Sequence, residues 1–249
     1  MLEHSANSRL SLCAVDNPDT ELREDAFMFR NKPGGFDLYV ASAVPPIDFI
    51  KPNKLDKAIK KNLEGKIPTP LFRDWQNYRF SLKGECSQPA IVVCYKVNSS
   101  SGVESVDVTV GTVRLGRIFT YEEYDKSIFV RDDFTRMAYI LDDIQVPYLG
   151  SQILTSRIER RLSTDVVRGV LALFNHACRS AALKAQIPFV GLQKDQRKGR
   201  YFAVNPNWAI YNRPFRDPAA FINATNLVRY LQGKEPILSY AELKSFFPG

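Results

Sequence analysis

Short apolar, β-branched runs separated by turn-forming clusters fill the first half of the chain. Leu10–Val15 is the first such run and ends at Asp16-Asn17-Pro18-Asp19. Ala26–Arg30 and Phe36–Val44 follow, and the Pro33-Gly34-Gly35 turn between them predicts a hairpin. Pro45-Pro46 stops its second strand, because proline brings no N–H to a ladder. Ala90–Val97 and Val103–Arg114 predict two long antiparallel strands about the turn Ser99–Gly102.

Helical periodicity takes over later. Leu55, Ala58, Ile59 and Leu63 predict an early amphipathic helix with a lysine-rich outer face. Thr120, with Glu123 three residues on, has the form of a capping box at a helix start. Ser163 and Thr164 are expected to cap a helix from about Asp165 to Ala185, with Val166, Val170, Leu173, Ala177 and Ala181 along one face. Ala219–Gln232 predicts another helix, with Gly233 at its C′ position, and Tyr240–Phe246 a shorter one. Strands first and helices later predict an α+β fold, with antiparallel strands of the N-terminal half packed against helices mainly from the C-terminal half. No repeat or low-complexity linker divides residues 1–249, so one domain is expected.

Composition narrows the classes. The chain has 249 residues, 45% of them hydrophobic, so it is expected to bury roughly 70–75% of its unfolded surface without staples. Cys13, Cys86, Cys94 and Cys178 form no CxxC pair, and His4 and His176 complete no zinc-finger spacing, which argues against structural zinc and a His-centred triad. The longest apolar stretches, Ala90–Tyr95 and Val170–Phe174, fall far short of the roughly twenty residues of a membrane span. MLEHSANSRL has no apolar h-region. A cytoplasmic protein with reduced thiols is the expectation.

Thirty-four Lys+Arg against 27 Asp+Glu leave a net charge of +7. Lysines 51, 54, 57, 60, 61 and 66 crowd one segment, and Lys194–Arg200 reads KDQRKGR. Basic patches of this kind attract polyanions, or simply solvate a surface. From Lys194 to Arg216 the basic residues Lys194, Arg197, Lys198, Arg200 and Arg213 interleave with Tyr201, Phe202 and Trp208, the mixture that grips single-stranded RNA by charge and stacking. Phe202 and Trp208 serve equally well as core residues.

Acidic residues crowd one loop, Asp16, Asp19, Glu21, Glu24 and Asp25, between two predicted strands. Crowded carboxylates repel one another, and a hard cation such as Mg2+ relieves the repulsion while bridging to a phosphate. The cluster is therefore either a metal site for phosphodiester cleavage or a solvated acidic turn.

Leu12–Phe27 resembles the opening motif of the RNB catalytic domain of ribonuclease II and ribonuclease R: Asp16 falls on its first aspartate and Glu24-Asp25-Ala26 on its final Asp-Asp-Ala. Phe36–Ala58, Phe80–Val93, Leu115–Tyr124, Val166–Ala182 (Asn175 on the family's helical asparagine) and Arg213–Leu227 resemble further family segments in the same order. The resemblance implies an α+β fold and Mg2+- or Mn2+-dependent, processive hydrolysis of single-stranded RNA from the 3′ end. It places Asp16 and Asp25 on the metal, Glu24 beside them, and Arg216 where a guanidinium stabilises phosphate charge.

The chain also departs from that pattern. Leu22 stands at an acidic position, and Glu24 is one methylene longer than aspartate. Arg168-Gly169 occupies positions of family glutamates, Asp217-Pro218-Ala219-Ala220 replaces Arg-Tyr-x-Asp, and Gly65–Pro70 has no stacking tyrosine. Mg2+ demands nearly octahedral geometry at about 2.1 Å, so these losses weaken a metal site unless Asp19 or Glu21 moves in. Cold-shock and S1 domains do not fit within this length. Two functions follow: an eroded RNB-like protein, weak or inactive as a nuclease, that binds single-stranded RNA or a protein of RNA decay; or an active Mg2+-dependent 3′-to-5′ exoribonuclease. An assembly subunit using the old cleft as an interface is a third.

Overall fold

The computed structural model describes residues 10–44, 80–100, 102–145, 161–194, 201–203, 209, 211–212, 218–239, 241 and 243. Five strands form a closed barrel: β1 (Leu10–Asp16), β2 (Asp25–Lys32), β3 (Gly35–Ala43), β4 (Gln88–Asn98) and β5 (Gly102–Thr120). Helices α1 (Tyr121–Asp125), α2 (Val130–Asp143) and α3 (Leu162–Lys184) follow, then a small hairpin of β6 (Leu192–Lys194) and β7 (Tyr201–Ala203), then α4 (Pro218–Leu231). The α+β class is as the sequence predicts.

One strand closes the barrel. β5 runs antiparallel to β4 from Gly102 to Val113, then parallel to β1 from Leu10↔Val113 to Asp16↔Thr120. It is 19 residues long and overruns the expected end at Arg114, since its second part serves another seam. The other described seams of the barrel are antiparallel, as expected, and β1·β5 adds a parallel one. At Leu12/Cys13 the register skips Gly116, where a Cβ would lie 2.0 Å from Ser11 Oγ. Such a bulge bends the strand.

Alternation along the strands gives the wall two faces. On one, Val15, Phe27, Leu38, Val40, Ile91, Val93 and Tyr95 share a core with Met137 and Ile140 of α2 and Val170, Leu173 and Phe174 of α3. On the other, Ala14, Ala26, Ala41, Ala90 and Val92 meet Leu82, Val190, Phe221 and Ile222. α4 joins both cores and is buried from Ala219 to Val228, as a helix apolar nearly all round must be. Its buried asparagines are satisfied. Asn223 accepts from Val190 N and donates to Val190 O, both at 2.7 Å, and Asn226 donates to Pro188 O at 2.8 Å and accepts from Ile237 N at 2.8 Å.

The Thr120 capping box forms as expected. The expected caps of the long helix do not: α3 begins at Leu162, Arg161 at the N-cap makes no side-chain bond, and Ser163 and Thr164 lie inside the first turn. The Ser163 N–H instead donates to Asp125 Oδ1 of α1 at 2.8 Å, a cap supplied by tertiary contact. Gly233 ends α4 with φ 71°, as its C′ position requires. The helix expected over 55–63 lies outside the described residues, as does most of Tyr240–Phe246. No described helix is long and apolar enough to cross a membrane.

Candidate nucleic-acid interface

Asp16 closes β1 opposite Thr120, and Asp25 opens β2 opposite Ser42. The antiparallel pair Cys13↔Phe27 puts both acids at the same end of the barrel. The loop between them is pinned from outside. Arg23 N donates to Ser81 Oγ at 2.8 Å, Leu82 N to Arg23 O at 2.9 Å, and Ala43 N to Glu24 O at 2.8 Å. Ser81 itself is buried, and the sequence reading passed over it although it lies in the Phe80–Val93 segment. A buried serine before a strand is the one signal available there.

Glu24 is more enclosed than its acidic neighbours. It is only 4% exposed, while Asp19 and Glu21 face solvent. Among the described residues no three of Asp, Glu, His and Cys gather closely enough to hold a metal ion. Asp16 and Asp25 remain as two carboxylates at one rim, a number of protein ligands that Mg2+ accepts when waters and phosphate oxygens complete its shell.

Helix α3 runs from beside the acidic rim to Tyr211 and Asn212. Its Val167, Val170 and Leu171 line a small cavity with Asp25, Val15 and Val40. One turn after Leu171, about 6 Å along the axis, comes Asn175. Its Oδ1 accepts from Tyr211 N at 2.7 Å and Asn212 N at 3.2 Å, and its Nδ2 donates to Asn212 Oδ1 at 2.7 Å. Tyr211 and Asn212 are thereby anchored to α3 one helical turn beyond Leu171. Next to Asn175, His176 has its pKa lowered, by burial first and then by Arg179. The imidazole is thus held toward its neutral form.

Of the basic and aromatic candidates, Lys194 and Tyr201 lie on β6 and β7 as register partners, so the hairpin brings them side by side. Gly191 bridges to Ala209 beside them. Arg197, Lys198, Arg200, Trp208, Arg213 and Arg216 lie outside the described residues.

Neither a family model nor a curated protein sequence matches this chain. Solved structures do. Yeast Ssd1, described as a pseudonuclease, aligns over 100% of this chain and 43% of its own with TM-score 0.69 at 13% identity. An active-site mutant of the Dss1 exoribonuclease from Candida glabrata aligns over 96% of this chain and 44% of its own, with TM-score 0.69 and 13% identity. Mycoplasma genitalium RNase R, in complex with ribose-methylated single-stranded RNA, aligns over 76% of this chain and 35% of its own, with TM-score 0.55 and 14% identity. The chain thus spans less than half the length of these proteins, and the fold it shares with them is RNB-like.

Proposed function

We propose that this chain is an RNA-associated protein that binds single-stranded RNA across the acidic rim and the basic segment, and that hydrolyses it weakly or not at all. The observation that carries the reading is α3, which lines a cavity with Asp25 and, one turn beyond Leu171, holds the main chain of Tyr211 and Asn212 through Asn175. Arg213 and Arg216 then hold phosphate by bidentate bonds, Lys194, Arg197, Lys198 and Arg200 add charge, and Tyr201 and Trp208 stack bases. RNase R, which has this fold, is seen with single-stranded RNA, and Ssd1, which also has it, is called a pseudonuclease. The burial of Glu24 and the apolar Leu22 support the loss of hydrolysis.

If Mg2+ or Mn2+ is held, Asp16 and Asp25 are its ligands, and the ion supplies charge for a scissile phosphate. The deciding assay incubates the chain, Asp25→Asn and Arg216→Ala with a labelled single-stranded RNA and either cation. Binding by the parent chain, weakened in Arg216→Ala, with no shortening, is the expected result. Stepwise shortening from the 3′ end that disappears in both variants would establish a 3′-to-5′ exoribonuclease instead.

A further inference from the structure

Between β2 and the α1–α2 corner lies a cleft whose charged groups the RNA interface does not use. It measures about 420 Å3, within the range of small-molecule sites, about 300–1,000 Å3. Buried Phe27 and Phe119 line it from β2 and β5, with half-buried Phe29 beside them. Phe129, 50% exposed, faces it from the corner.

Two carboxylates and a guanidinium meet there without a hydrogen bond between them. Arg136 Nη1 lies 3.9 Å from Asp133 Oδ1 and Arg136 Nη2 lies 4.0 Å from Asp132 Oδ2, ion-pair distances too long for hydrogen bonds. Arg136 is steadied by the Phe36 ring, 5.7 Å from its guanidinium. Asp133 is 9% exposed, and its Oδ2 accepts from the buried Tyr124 hydroxyl. Among the described residues no hydrogen bond reaches its Oδ1. An enclosed carboxylate oxygen short of donors favours a ligand that brings an N–H. Arg117, its guanidinium 4.4 Å over the Phe119 ring, adds a second cation, so Asp132, Asp133, Arg117 and Arg136 together carry no net charge. A bare anion or cation gains little from such a set. A neutral ligand with donors and acceptors side by side gains from both signs, and aromatic walls favour a flat one.

We propose that this cleft binds a guanine base. Guanine alone among the RNA bases presents two donors, N1–H and N2–H2, and one acceptor, O6, in a row on its Watson–Crick edge, which matches Asp132 and Asp133 beside Arg136. Phe29 and Phe129 offer it aromatic faces. Adenine, cytosine and uracil carry a single donor group on that edge, so each leaves a carboxylate unmatched. The base belongs to a free guanine nucleotide or to single-stranded RNA, and its recognition is the same in both. Neither Asp16 nor Asp25 lines the cleft, so the site goes beyond the RNA interface and does not depend on it.

The test titrates guanosine, GMP, inosine, adenosine, cytidine and uridine by calorimetry into the parent chain, Asp132→Ala and Phe129→Ala, both changes at exposed positions, with the fold checked by circular dichroism. Guanosine should bind about tenfold more tightly than inosine, which lacks only the N2 amino group, and than the other nucleosides. Each variant should weaken guanosine by about tenfold. The comparison of guanosine with inosine on the parent chain stands even if a variant misfolds. Heptauridylate with and without one central guanosine separates the two sources. Tighter binding of the guanine-containing oligomer, lost in Phe129→Ala, assigns the base to RNA, whereas equal binding of the two oligomers beside tight GMP assigns it to a free nucleotide, and either result supports the site. Guanosine no tighter than inosine or adenosine, a guanine preference that survives both variants, or no binding of guanosine at about millimolar concentration would each overturn the proposal.

Discussion

The hydroxyl of Tyr95, fully buried on β4, donates a 2.8 Å hydrogen bond to the main-chain carbonyl of Leu173 in the middle of α3. This bond fastens the barrel to the helix that carries both Asn175 and the cavity beside Asp25. Tyr95→Phe keeps the ring and loses the bond, at a cost of about 1 kcal/mol. Tyr95→Ala also opens a void and costs about 3–5 kcal/mol. Urea titrations should show the two midpoints falling in that order.

Gly169 lets α3 approach α2. A Cβ there would lie 1.8 Å from Met137 Sδ, and Met137 is fully buried. Gly169→Ala gains up to about 1 kcal/mol of helix propensity, yet overpacking of about 1–3 kcal/mol should outweigh it. Thermal melts of Gly169→Ala, Met137→Ala and the double variant should show the pair losing less stability than the two single losses together. Strict additivity would refute the contact.

Asp37, 5% exposed, meets Arg30 at 2.7 Å and Lys32 at 3.0 Å. Burial opposes its ionisation, but the bonds from Arg30 and Lys32 prevail and hold its pKa below the usual carboxylate value. A depressed folded pKa stabilises the protein above the unfolded value, near about 3.9, and that stabilisation is lost as pH falls through the folded value. Asp37→Asn should therefore cost about 1–2 kcal/mol near neutral pH, a modest sum because Arg30 is half in water. The difference from the parent should shrink below about pH 4. A gap that stays constant to acid pH would contradict the ion pair.

Asn175 gives a link between stability and binding. Asn175→Ala leaves two main-chain donors at Tyr211 and Asn212 without their acceptor, at about 1–3 kcal/mol. RNA affinity should fall with it, because Arg213 and Arg216 follow the released segment. Equilibrium binding well below the variant's melting temperature separates the two effects, and unchanged affinity there would detach this segment from RNA recognition.

Salt dependence reads the basic segment directly. If Lys194, Arg197, Lys198, Arg200, Arg213 and Arg216 each neutralise a phosphate, log K against log salt should have a slope of about −4 on single-stranded RNA. Lys198→Glu with Arg200→Glu should make the slope shallower by about 1.5 and weaken all sequences alike. An affinity indifferent to salt would remove RNA from the ligands.

Much of the barrel is legible along the chain because its signals are local. The Pro33-Gly34-Gly35 turn, the alternation of Ala26 and Phe27, and the Thr120–Glu123 box each act within a few residues. α2 escaped notice although Val130, Met137, Ile140 and Leu141 line its buried side, since Phe129 at its N-cap contributes no capping bond. α3 starts earlier than its serine and threonine suggest, because Asp125 from another helix satisfies Ser163. The acids Asp16 and Asp25 were legible as loop residues flanking two strands, but the pinning of the Arg23–Glu24 main chain depends on Ala43, Ser81 and Leu82, none near it in sequence.

Periodicity and turn chemistry alone determined that strands precede helices, where most of them lie, and that acidic and basic residues fall in separate segments. Only tertiary structure decided that β5 closes the barrel against β1 and that Asn175 of α3 holds the main chain of Tyr211 and Asn212. The reason is the range of the forces. Backbone preference acts between neighbours, whereas Leu10 meets Val113 and Asn175 meets Tyr211 only when the whole apolar surface has been buried.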